Sequence, residues 1–296
     1  MMIDLVFNSP EEEVDFEPIN KHQLTLFFKR DDLIHPFISG NKWRKLKYNL
    51  LKAKAAKKTH LVTFGGAFSN HILATAAAGA KFNFKTTALI RGEEADNQIL
   101  GLCRIFGMHL IFVSREAYKN KERLYQQYFK NESQTFFIDE GGYGEDAEKG
   151  CREIISELEN SYDYLFCAAG TGATAAGIIN GANTTNVNTE INIVPALKGG
   201  DFLKPEIDKL LITPHPYNLH TEYHFGGYAK TKPALIDFIK DFSQKTGILL
   251  DPVYTGKVLF AINDLANQNY FKPQSKILMI HTGGLFGILG MLEKFR

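Results

Sequence analysis

The sequence predicts an α/β fold built on parallel sheets, and three observations carry that reading. Short runs of apolar, β-branched and aromatic residues alternate with longer amphipathic stretches. Several of those runs end in glycines that lead directly into the next amphipathic stretch. At 296 residues the chain exceeds a typical single core and can form two subdomains around a cleft. The one Gly-rich break near the middle, Asp139–Asp146, is not a Pro/Ser-rich linker, so the subdomains are expected to be interleaved.

Along the chain, the first strand is read at Leu24–Phe28. It leads into Lys29-Arg30-Asp31-Asp32-Leu33-Ile34-His35-Pro36-Phe37-Ile38-Ser39-Gly40-Asn41-Lys42 and an amphipathic helix, Lys42–Lys57. A Gly-Asn step at the helix start places Lys42 in the first turn, where the helix dipole disfavours an ammonium and lowers its pKa. A partly deprotonated lysine is what a Schiff base needs. The plainer reading is one more solvated lysine in the patch Lys42, Arg44, Lys45 and Lys47.

The next strand, His60–Phe64, ends at Gly65-Gly66, and Ser69-Asn70-His71 opens an alanine-rich helix, Asn70–Lys81. Ser69 or Asn70 as an N-cap accounts for two of the three polar residues. Ligands of open α/β sheets also sit beyond the carboxyl ends of strands, where this triplet lies. Strands at Thr86–Ile90, His109–Val113 and Thr135–Ile138 follow, with helical periodicity over Glu116–Lys130 and Ala147–Glu159.

The strand Tyr164–Ala168 runs into Gly170-Thr171-Gly172-Ala173-Thr174 and a helix beginning at Ala175. Backbone N–H groups, two hydroxyls and a helix N-terminus there form a nest for a phosphate. The loop has neither the Lys-Ser/Thr ending of a nucleoside-triphosphate loop nor dinucleotide spacing. A strand at Ile191–Ala196 and helices at Lys232–Lys245 and Lys257–Gln268 precede a last strand, Lys276–His281. Asp251-Pro252-Val253-Tyr254-Thr255-Gly256-Lys257 and His281-Thr282-Gly283-Gly284 lie at element ends. Each alone could be a turn, and His281 could be a hydrogen-bonded core histidine.

With 44% hydrophobic and 23% charged residues, the chain has ordinary globular composition. Its 34 basic and 33 acidic residues give no electrostatic reason to propose nucleic acid or a membrane surface, which leaves a small molecule as partner. Cys103, Cys151 and Cys167 are too few and too widely spaced for a disulfide framework or a zinc site, and they point to a reducing cytoplasm. The N-terminus lacks a signal-peptide pattern, and no run approaches the ~20 apolar residues of a membrane span.

Taken in order, the five segments from about Lys29 to His281 resemble the family of 1-aminocyclopropane-1-carboxylate (ACC) deaminase and D-cysteine desulfhydrase, the Ser39-Gly40-Asn41-Lys42-Trp43-Arg44-Lys45-Leu46 segment being the most diagnostic. The resemblance implies a tryptophan synthase β subunit-like fold of two interleaved open parallel-sheet domains. A large domain of residues 1–43 and 161–296 would bind pyridoxal phosphate, with a small inserted domain of residues 44–160. It implies a homodimer. Lys42 would carry the cofactor. Ser69, Asn70 and His71 would meet the substrate and the cofactor hydroxyl, with Ser69 also catalytic. Gly170, Thr171, Gly172 and Thr174 would hold the phosphate. Tyr254 matches a substrate-facing tyrosine, Thr255 the residue at the pyridine nitrogen, and Tyr228 falls in a Gly-Tyr segment. Phe68, where relatives commonly have glutamine, makes the pocket more apolar.

The activity implied is β-elimination on a small amino acid, with D-cysteine giving pyruvate, ammonia and hydrogen sulfide. ACC deaminases typically have glutamate at the position of Thr255, leucine at Thr282 and glutamine at His71, so these residues side with the desulfhydrase branch. The alternatives are ACC ring opening on the same cofactor, or a cofactor-binding or nucleotide-binding protein without catalysis.

Overall fold

The computed structural model describes residues 3–185 and 188–296. Its strands are β1 (Glu11–Glu13), β2 (Thr25–Lys29), β3 (His60–Gly65), β4 (Lys85–Arg91), β5 (His109–Val113), β6 (Thr135–Ile138), β7 (Tyr164–Ala169), β8 (Glu190–Pro195), β9 (Asn218–Leu219) and β10 (Lys276–Ile280). The helices are α1 (Glu17–Asn20), α2 (Asn41–Ala55), α3 (Asn70–Phe82), α4 (Gln98–Ile105), α5 (Lys121–Phe129), α6 (Glu145–Ser156), α7 (Ala173–Thr185), α8 (Leu203–Asp208), α9 (Pro233–Thr246) and α10 (Thr255–Asn267).

The strands form two sheets, a six-stranded one in the order β1-β2-β10-β7-β8-β9 and a four-stranded one in the order β5-β4-β3-β6. All pairings are parallel except β1 with β2, where Glu11 faces Lys29. The larger sheet draws on both ends of the chain, since β10 sits between β2 and β7. The smaller takes only residues between His60 and Ile138.

A strand turns successive side chains to opposite faces, and a parallel sheet is covered on both, so its strands read as nearly unbroken apolar runs. In β7, Tyr164, Phe166 and Ala168 enter one core with Phe28, Phe242 and Met279. Leu165, Cys167 and Ala169 enter another with Ile178, Ile193 and Leu278. The smaller sheet divides similarly, Leu61 joining Trp43 and Leu46 while Val62 and Phe64 join Leu89 and Leu124.

Helices α2, α6 and α7 pack closely because glycine stands where they touch. A β-carbon on Gly150 of α6 would lie 1.8 Å from the Arg44 carbonyl oxygen of α2, and one on Gly177 of α7 would lie 2.5 Å from Cys151 Cβ of α6. The start of α2 is fixed by a buried ion cluster. Arg44, fully buried, donates to both carboxylate oxygens of Asp31 (2.6 and 2.7 Å) and both of Glu157 (2.8 and 2.7 Å).

All eight strands expected from the sequence are present. The expected single helix over Glu116–Lys130 is instead a short 3-10 turn, Ala117–Lys119, followed by α5, because Asn120 leaves helical geometry and caps Arg123 N–H with its side chain. Among the described residues, no helix is long and apolar enough to cross a membrane.

Candidate active site

A cavity of about 1010 Å³ opens at the carboxyl ends of strands from both sheets. Into it reach Asn41, Lys42 and Lys45 of α2, the Gly66–His71 turn after β3, the Gly170–Thr174 loop after β7, and Thr282–Gly284 after β10. Tyr228 and Tyr254 complete one wall. The structure therefore gathers Lys42, Ser69, Asn70, His71, Gly170, Thr171, Gly172, Thr174, Tyr228, Tyr254 and Thr282 around one space.

Lys42 is placed by its turn. Gly40 has φ +59°, and a β-carbon there would sit 1.9 Å from the Thr282 carbonyl oxygen, so a residue with a side chain fails on both counts. The Asn41 N–H donates to that carbonyl oxygen (3.3 Å), tying the helix start to the end of β10. The Lys42 ammonium donates to Asn41 Oδ1 (3.0 Å) and keeps some surface toward the cavity. Burial by surrounding protein, helped by the charge of Lys45, brings its pKa down to about 7.

Ser69 is the N-cap of α3, its Oγ accepting the Ile72 N–H at 3.4 Å, and its own hydroxyl proton is left for another partner. His71 is buried, with its Nε2 2.8 Å from Thr63 Oγ1. The Thr63 hydroxyl proton goes to the Ile138 carbonyl (2.9 Å), so Thr63 accepts from His71 Nε2–H. That leaves Nδ1 a bare acceptor, buried and without a partner among the described residues. Burial, then the charges of Lys42 and Lys45, hold the His71 pKa well below its ordinary value, and the ring is neutral.

In the loop after β7, Gly172 has φ +91° and the loop leads into the N-terminus of α7. Thr174 Oγ1 accepts from Asn41 Nδ2 at 3.0 Å and keeps its own proton. Lys45, buried, reaches Thr171 Oγ1 (3.5 Å) and the Gly141 carbonyl (3.3 Å), both long contacts, and meets no carboxylate among the described residues. Burial lowers its pKa. The sequence shows Lys45 only as one charge in a basic patch, but its spacing of three from Lys42 puts both on one helix face.

Tyr254 packs on Gly170, where a β-carbon would lie 3.1 Å from its ring, and meets the Tyr228 ring edge to face at 6.2 Å. Burial first, and then Tyr228, push the Tyr254 hydroxyl well above its ordinary pKa, so it keeps its proton. Tyr228, 45% exposed at the mouth, is pushed up less, again by burial.

Thr255, expected beside the pyridine nitrogen, does not reach the cavity. Fully buried, its hydroxyl donates to Asp251 Oδ2 and accepts from the Asp251 N–H, both at 2.9 Å. Asp251 also accepts from the N–H groups of Val253, Tyr254 and Thr255 and so caps α10. Thr282, after β10, does line the cavity. His281 is a core histidine, its Nε2–H donating to the Leu249 carbonyl (2.9 Å) while its Nδ1 accepts from Gly283 N–H (3.3 Å).

The sequence pattern of the pyridoxal-phosphate dependent enzyme family matches residues 12–283. The chain belongs to that family. A protein of Thermotoga maritima named for 1-aminocyclopropane-1-carboxylate deaminase is 28% identical over 93% of each chain. A mitochondrial protein of Arabidopsis thaliana, named as a bifunctional D-cysteine desulfhydrase and 1-aminocyclopropane-1-carboxylate deaminase, is 27% identical over 91% of this chain and 74% of its own. Among solved structures, an ACC deaminase homologue superposes with a TM-score of 0.89 at 27% identity, covering 98% of this chain and 94% of that one.

Pyridoxal phosphate is thus the cofactor of this enzyme, and the cavity fits it. His71 Nδ1 is a buried acceptor without a donor, and the loop after β7 offers amides and a free hydroxyl at a helix N-terminus. Lys45 adds a buried cation that meets no carboxylate among the described residues.

Proposed function

We propose that this enzyme eliminates thiolate from D-cysteine, released as hydrogen sulfide, and that water hydrolyses the remaining enamine to pyruvate and ammonia. The observation that carries the reading is a single cavity lined both by Lys42, whose pKa its surroundings lower, and by Tyr254, which keeps its proton. Bound pyridoxal phosphate supplies an aldehyde for the amino group and a ring that withdraws electrons from Cα. Lys42 Nζ is the base that takes the α-proton, and the Tyr254 hydroxyl stands ready to protonate the leaving group, with Tyr228 closing the mouth over both. The amide of Asn70 and the hydroxyl of Ser69, at the start of α3, hold the substrate carboxylate. His71 Nδ1 would accept from the cofactor hydroxyl, and Gly170–Thr174 with Lys45 would hold the phosphate.

In this reading residues 44–160 form the inserted domain and residues 1–43 with 161–296 the cofactor domain. The enzyme works as a homodimer in the cytoplasm. Support for D-cysteine over ACC comes from the polar Thr282 and the neutral His71 on the cavity wall, and the Salmonella paratyphi A relative, 26% identical over 88% of this chain, is named D-cysteine desulfhydrase. Ring opening of ACC is the competing reading, favoured by the name of the Thermotoga relative.

Steady-state kinetics on D-cysteine and ACC, for the parent and for Thr282→Leu, test it. The parent should prefer D-cysteine in kcat/KM by a factor of about 10 or more, and Thr282→Leu should shrink that preference, about 1.4 kcal/mol being at stake per tenfold. A parent that opens ACC efficiently, or a variant with an unchanged ratio, assigns the substrate differently.

A further inference from the structure

Lys257 is a buried lysine that the site described above does not use. It lies in the first turn of α10, three residues after Tyr254. A cation at that end of a helix opposes the dipole. The side chain is nonetheless fully buried, and its ammonium donates to three backbone carbonyls: Ala196 (3.0 Å), His224 (2.8 Å) and Gly227 (3.0 Å). All three ammonium protons are therefore spent on main-chain oxygens.

Those carbonyls belong to two segments at the cavity. Ala196 follows the end of β8, while His224 and Gly227 flank the turn that presents Tyr228. That turn is costly: Phe225, Gly226, Gly227 and Ala229 have φ of +54°, +103°, +122° and +55°. Non-glycine residues held left-handed persist only where something outside the turn enforces them. The Lys257 ammonium is that tie. Because it hangs from the helix whose first turn follows Tyr254, it fixes the turn carrying Tyr228 relative to Tyr254. Burial brings its pKa down to about 8, opposed by Asp251.

We propose that Lys257 is a positioning residue, a built-in cation that holds Tyr228 against Tyr254 through the carbonyls of Ala196, His224 and Gly227, and whose place a small ammonium ion can take. The proposal rests on the reading of Tyr254 as the proton donor. It is tested on the cofactor-loaded enzyme with Lys257→Met, which keeps the length and removes the charge, and Lys257→Ala, which opens the carbonyl cage. Both variants should lose kcat by a factor of about 10 or more while KM for the amino acid moves less than about threefold. Ethylammonium at millimolar concentration should return kcat and raise Tm for Lys257→Ala, and should do neither for Lys257→Met.

Lys257→Met with kcat within about twofold of the parent overturns the proposal, and that arm decides alone if Lys257→Ala does not fold. Ethylammonium that restores Tm without kcat reduces Lys257 to a structural tie and overturns it equally, as does an Ala variant that ethylammonium restores in neither. Tyr254→Phe run in parallel separates the two readings: full activity there removes the proton-donor role, while the Tm response of Lys257→Ala still reports whether the cage takes a cation.

Discussion

Lys42 is pulled from an ordinary lysine pKa of 10.5 to about 7, with burial as the first cause and the neighbouring charge of Lys45 as the second. The shift lowers the pKa of a base, so the reactive neutral amine predominates above pH 7 and fades below it. Uptake of pyridoxal phosphate by cofactor-free enzyme, followed by visible absorbance, should therefore speed up through pH 7 and level off soon after. A rate still climbing toward pH 10 would mean that the amine is not shifted, and Lys42→Ala should show no such phase. Thr255 makes a second case. A glutamate there would face Asp251, already pushed to a raised pKa by burial, and Thr255→Glu should cost about 2 kcal/mol or more in denaturant unfolding. Unchanged stability would mean that the new carboxylate has turned into the cavity. The sequence makes Lys42 legible because a Gly-Asn step has few uses before a helix. It does not reveal which way Thr255 turns, since at a helix start neighbouring residues diverge by about 100° and Tyr254 already faces the cavity.

At the scale of elements, α2 carries both site lysines, and its seating depends on Arg44. Replacing Arg44 with methionine leaves the Asp31 carboxylate buried and unpaired, at a cost of about 3–5 kcal/mol. The double variant Arg44→Met with Asp31→Leu should recover most of that loss, because Glu157 is partly exposed and can turn to water. Urea titrations of the parent, the single and the double variant measure both numbers, and a single variant as stable as the parent would remove the ion cluster from the account of how α2 is held. The strands that built the sheets were legible because two covered faces demand continuous apolar runs. The edge strand β1 was not: Glu11–Glu13 is three carboxylates, placed by pairing with β2 rather than by any preference of its own. The seating of α2 was equally hidden, since Asp31 and Arg44 flank the Gly40 turn in sequence but Glu157 comes from beyond α6.

For the molecule as a whole, the missing linker in the sequence has its counterpart in a larger sheet drawn from both chain ends and a smaller one drawn from between them. Where the sheets open toward each other was not readable from either, because the cavity wall comes from loops after β3, β7 and β10 that share no sequence neighbourhood. The pairing of β2 with β10 also orders events during synthesis. A ribosome releases Thr25–Lys29 long before the strand that must lie beside it, Lys276–Ile280. Until then the carbonyl of Thr282 that seats the Lys42 turn does not exist. Parallel pairing at such separation is slow and leaves an open strand edge exposed in the meantime. A nascent chain thus holds its cofactor lysine unseated until β10 and Thr282 have been made, and uptake of pyridoxal phosphate marks a chain that has been made through β10.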